Sequence, residues 1–195
     1  MSISNKSKMS TRTLTLLSLL TALVAILSYM GGFVKIGSFA SISLTLIPVV
    51  LGAALCGPWA GAWLGGVSGA VFFITPDAAF WFGLSIPGTV ITVMIKGILS
   101  GLFAGYIYKL FEARSKYFAT MLSAIICPVV NTGIFILGCL IFFMDTVKSG
   151  ALAEGLSIWG YLLIFYVGLN FVFELRSNVI FSPIIVRLLN IRNKK

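Results

Sequence analysis

Apolar runs at 13–30, 42–75, 88–111, 117–144 and 158–189, separated by short polar connections, account for most of this chain. An α-helix rises about 1.5 Å per residue, so the second run is too long for a single span, and Gly57 with Pro58 near its middle marks a tight turn that splits it in two. The pattern predicts an all-α membrane protein, a bundle of six transmembrane helices in which helices two and three are short for a bilayer. The first run follows a basic polar leader containing Lys6, Lys8 and Arg12, which is also how a secretory signal begins. Its length, and its continuation into Tyr29, Met30 and Gly31, predict a retained first helix. With no internal repeat and no large polar segment, residues 1–195 are expected to form one domain.

Charge placement orients the predicted helices. Lys6, Lys8 and Arg12 precede the first, Lys109, Arg114 and Lys116 surround the connection after the fourth, and Arg187, Arg192, Lys194 and Lys195 close the chain. By the positive-inside rule these three regions are cytoplasmic, so both termini lie inside, which requires an even number of spans and agrees with six. The opposite connections hold Lys35, Asp77, Asp145, Lys148 and Glu154, with no basic excess. They are also the long ones, as a lid over an outer site requires, and their acids read as solvated.

Composition sharpens the class. The 195 residues are 59% hydrophobic and 10% charged, and their mean hydropathy is +1.08, values outside the range of soluble domains. A net charge of +9 could point to nucleic acid, but the basic residues sit at the ends of apolar runs rather than along an aromatic-interleaved stripe, so no nucleic-acid partner is expected. Cys56, Cys127 and Cys139 lie within apolar runs at unrelated spacings, and there is no histidine, so no metal site is expected. A nucleotide-binding GxxxxGK[ST] loop, a GxSxG elbow and a carboxylate pair on one helix are absent from the sequence. Acid–base, zinc and serine chemistry therefore lack visible groups, a cofactor is not implied, and the chain is not read as an enzyme.

Two kinds of residue stand out inside the apolar runs. Gly57, Gly61, Gly65 and Gly69, and again Gly97, Gly101 and Gly105, recur every four residues. Such grooves let helix backbones approach in lipid, and internal packing is their simplest use. Helix one carries related spacings, Ser18 with Ala22 and Thr21 with Ala25, on the first span after a cytoplasmic tail, where a contact with another membrane subunit is a second possibility. The other kind is polar. Lys96 in helix four, Asn131 in helix five, and Asn170 and Glu174 in helix six lie at similar depth toward the outer side, where ionisable or amide groups are costly. Asn170, Glu174 and Asn178 follow i, i+4, i+8 spacing, which keeps them on one side of a helix with a drift of roughly 80°. Two readings remain open. Lys96 and Glu174 neutralise each other while the asparagines bond between helices, or Lys96 binds an anionic group of a solute whose hydroxyl or amide groups the asparagines read. Thr92, one helical turn before Lys96, joins the candidate site, and Trp81 with Phe80 supplies either an apolar wall or part of the interfacial aromatic belt.

Several stretches resemble a known family. They are ISLTLIPVVLGA at 42–53, Gly57 and Pro58 followed by Ala60 and Gly61, Lys96 and Gly97 leading to Ala104, Gly105 and Tyr108, and PVVNTGIF at 128–135. Together they are similar to the substrate-binding S components of energy-coupling factor (ECF) vitamin transporters, and most similar to the pantothenate type. The resemblance implies a prokaryotic, Gram-positive plasma-membrane protein of six helices that captures a vitamin at the outer face. It implies as partners a transmembrane coupling subunit and two ATPase subunits, so that this chain binds no ATP. A cobalamin-type or other solute is the alternative within the family; a membrane enzyme or an assembly subunit is the alternative outside it. The resemblance also implies that the small-residue face of helix one, Ser18, Thr21, Ala22 and Ala25, meets the coupling subunit, although Ser or Thr stands where the family's AxxxA pattern has its first alanine.

Overall fold

The computed structural model describes residues 11–31, 35–36, 40–41 and 44–193. In chain order it contains α1 (Thr11–Gly31), a two-residue antiparallel ladder of β1 (Lys35–Ile36) with β2 (Ala40–Ser41), α2 (Leu46–Cys56), α3 (Pro58–Phe72), α4 (Pro76–Leu84), α5 (Ile86–Phe111), α6 (Lys116–Phe142), α7 (Met144–Ala153), α8 (Ile158–Tyr161), a π-helical segment (Leu162–Val167) and α9 (Gly168–Asn193). The long apolar runs are thus helical, and the break at Gly57 is where the sequence places it. Gly57 has φ +97°, a left-handed conformation suited to glycine, and Pro58 starts α3 where its missing N–H costs nothing. Serines open the later helices. Ser85 accepts a hydrogen bond from the Gly88 N–H at 3.2 Å, and Ser157 accepts one from the Gly160 N–H at 3.1 Å.

The outer connections differ from the expectation. Residues 76–84 and 144–153, read from the sequence as parts of long loops, are the helices α4 and α7. Both are too short to cross a bilayer, which is why hydropathy alone placed them between spans. Thr75 precedes Pro76 and Asp77, an N-terminal signature, and the chain bends by 82° between α3 and α4. The predicted sixth helix is also not continuous, because the π-helical turn at Leu162–Val167 separates α8 from α9. By length and composition, three described helices, α1, α5 and α6, can each cross a membrane, and the bent pair α3 and α4 gives a fourth candidate. The architecture is therefore an all-helical set of apolar elements compatible with a membrane bundle.

Its centre is α5, which packs along α3 on one side and α6 on the other; α9 lies against α6 and α2, and α1 against α3 and α2. The glycine ladders make the α3–α5 contact possible. A Cβ placed on Gly61 would run into the carbonyl of Gly101, and one on Gly65 into the carbonyl of Gly97, with the reverse collisions from the other helix. One buried apolar cluster, including Leu20, Val24, Val49, Leu64 and Ile185, joins α1, α2, α3 and α9. A second, including Cys139, Phe143, Val147 and Tyr161, ties α6 to α7 and α8.

Candidate solute-binding cavity

Between these helices lies a cavity of about 120 Å³. Lys96 from α5, Asn131 from α6 and Glu174 from α9 all line it, so three of the four polar residues singled out in the apolar runs converge on one space. The side chain of the fourth, Asn170, lies outside the described residues. Lys96 places its ammonium 5.9 Å from the centroid of Phe72 and 4.9 Å from that of Phe135, within cation–π range of both rings. The charge of Glu174 acts on it as well. Glu174 itself is 4% exposed, and its backbone carbonyl accepts a hydrogen bond from the Asn178 side-chain amide at 2.8 Å.

The remaining candidates stand off the cavity. Thr92 is buried against Gly138, where α5 meets α6, and its hydroxyl has no hydrogen-bond partner among the described residues. Trp81 packs edge-on against Phe135 at 5.4 Å and against Phe143 at 5.2 Å, so it stands one ring behind the Lys96 contact and fastens α4 to α6. Phe80 touches Trp81 but is 47% exposed, as a belt residue is. On α1, Ser18 and Ala22 are exposed and Ala25 is half-buried. Thr21 is drawn toward α3, its hydroxyl accepting a 3.1 Å hydrogen bond from the Trp63 indole.

The structure adds residues that the pattern did not mark. Asp77, read as a solvated acid of an outer connection, is half-buried and lines the cavity from the first turn of α4. The correction has a physical cause: the sharp α3–α4 bend turns that first turn inward. Its cue was the run Thr75, Pro76, Asp77, which belongs to a helix start rather than to a loop. Ser28, Ser68 and Ser100 also line the cavity. Ser28 and Ser68 are joined at 3.0 Å, and Ser100 donates to the Gly97 carbonyl at 2.9 Å. Small hydroxyls in apolar runs read as packing residues, so no sequence signal separates these three from the rest.

Among the described residues the wall is thus mixed: one ammonium, two carboxylates, an amide and hydroxyls face Leu46, Val49, Val93 and Phe72. Such a surface suits a small hydrophilic molecule with some apolar body. Among the described residues no group of three acid or cysteine side chains is placed to hold a metal ion. Comparison with known proteins gives one result. The family described as ECF transporter, substrate-specific component, matches residues 12–189. No curated protein and no solved structure matches the chain.

Proposed function

Because the chain belongs to the family of ECF transporter substrate-specific components, we propose that its cavity holds a small water-soluble vitamin, pantothenate foremost, captured at the outer face of the plasma membrane. Members of this family are transporter subunits rather than enzymes, and they work with a coupling subunit and ATPases. The observation that carries the reading is the convergence of Lys96, Asn131 and Glu174, from three separate helices, on one space. Pantothenate offers a carboxylate, two hydroxyls and an amide. Lys96 takes the carboxylate, since an ammonium has only donors, and Asn131 reads a hydroxyl or the amide, since its side chain both donates and accepts.

The same reading assigns α1 to assembly. Its exposed small residues, Ser18 and Ala22, form a shallow face on which another helix can lie closely. The chain crosses the membrane six times, with α2 and the α3–α4 pair as its short spans, the helix containing α9 as its last, and both termini in the cytoplasm. Mass spectrometry of the small molecule that copurifies with the protein tests the reading directly. Pantothenate in the bound fraction supports it; a different vitamin replaces the solute, and a protein that retains no solute from a vitamin-containing medium refutes capture.

A further inference from the structure

A lysine stem is long and flexible, and Lys96 leaves α5 about 15 Å inside the end that begins at Ile86. Side chains on an α-helix lean toward its N-terminus, which is the outer end in the orientation proposed above. The easy course for this ammonium is therefore to snorkel outward, away from Asn131. Two rings from other helices lie against it instead. Phe72 is the last residue of α3, with its centroid 5.9 Å away, and Phe135 belongs to α6, with its centroid 4.9 Å away. Phe135 stands one helical turn after Asn131, so the nearer ring and the amide share a face of α6. It is in turn braced by Trp81 of α4, edge-on at 5.4 Å.

Phe135 is not among the described residues that line the cavity, whereas Lys96 is. Its effect on a solute must therefore pass through the ammonium. Ring faces attract the charge but offer no lone pair, so a solute carboxylate is a better partner for the three N–H donors than the rings that hold them. A stem held in place before the solute arrives also loses less rotamer freedom on binding.

We propose that Phe135 is a positioning residue for anion binding: its ring face, together with that of Phe72, holds the Lys96 ammonium at the cavity instead of letting it snorkel outward. This rests on the reading of Lys96 as the partner of a solute carboxylate. It gives α4 an indirect part in recognition, through Trp81 behind the ring.

The test replaces Phe135 in the full chain by mono-, di- and trifluorinated phenylalanine, which drain charge from the ring face at nearly constant shape. Affinities of the detergent-purified protein are measured for pantothenate and for panthenol, the neutral alcohol that lacks the carboxylate. Each added fluorine should weaken pantothenate binding, to a total loss of about three- to thirtyfold, the range of a cation–π contact, and should leave panthenol unchanged. The same series at Phe103, an exposed residue of α5, should change neither. A ring that only fills space would move both ligands together or neither, and either outcome overturns the role of Phe135 while leaving the vitamin site standing. In a Lys96→Met background the Phe135 series should be flat for pantothenate, and a slope that persists there also overturns the role. A wild type that binds pantothenate no more tightly than panthenol overturns the pairing of Lys96 with the solute carboxylate, and this role with it.

Discussion

A lysine at bilayer depth costs about 2.5–3.5 kcal/mol on insertion scales, whereas a ring face beneath an ammonium returns about 0.5–2 kcal/mol. The contacts of Lys96 with Phe72 and Phe135 are thus too weak to account for its position alone, and an anionic partner is needed. Glu174 supplies part of that charge; in the proposed complex the solute carboxylate supplies more. Lys96→Met, which keeps the length of the stem and removes the charge, should lower affinity for an anionic vitamin by about ten- to a hundredfold. Titration calorimetry on protein that remains monodisperse in detergent measures it, and an unchanged affinity excludes Lys96 from solute contact. Asn131→Leu should cost less, about tenfold at most, because a neutral hydrogen bond contributes less than a charged one. Lys96, Asn131 and Glu174 were legible in the sequence because ionisable and amide groups are rare in apolar runs. Asp77 was not, since an acid outside those runs reads as solvated until the bend that turns it inward is known.

The helix pair α3 and α5 shows how much an element can owe to missing side chains. Gly61 with Gly101, and Gly65 with Gly97, bring two backbones together along the side of α5 opposite α6, and the cavity opens where that contact ends at Gly65, Gly69 and Gly97. A methyl at Gly65 would meet the Gly97 carbonyl, a backbone atom that cannot rotate away, so the helices would have to separate. Gly65→Ala should therefore destabilise the protein by about 1–3 kcal/mol, the usual cost of overpacking, and weaken solute binding with it. Gly133, inside α6 where an added Cβ meets nothing within 4 Å, is the matched control, and Gly133→Ala should not lower stability, since alanine is the better helix former. Thermal unfolding of the two variants in one detergent, followed by size-exclusion chromatography, compares them. The four-residue glycine spacing predicted this contact, as the hydropathy runs predicted α1, α5 and α6. Elements of intermediate length were harder to read. The apolar stretch within α4 is too short to span and so reads as part of a connection, and nothing in the composition of residues 162–167 distinguishes a π-helical turn from the α-helix around it.

For the whole molecule, the positive-inside rule, applied to the basic residues before α1, around the α5–α6 connection and at the end of α9, predicts both ends of the chain on the cytoplasmic side. A fluorescent protein that matures only in the cytoplasm should therefore be bright when fused to either end, whereas a dark fusion at one end would imply an odd number of spans. With that orientation, α1 offers two unlike faces. Leu20 and Val24 are buried against the bundle, and Thr21 is held toward α3 by the Trp63 indole, while Ser18 and Ala22 remain exposed. Lipid is indifferent to the size of an apolar side chain at such a position, but a helix packed closely against it is not. Ala22→Phe therefore separates the two environments. If this face meets the coupling subunit, the variant should fold and bind solute as the wild type does, yet lose copurification with the coupling subunit and ATPases and lose uptake in cells, because the ring holds the partner backbone away. If the face meets only lipid, binding, assembly and uptake should all persist, and the coupling contact must be sought on another helix.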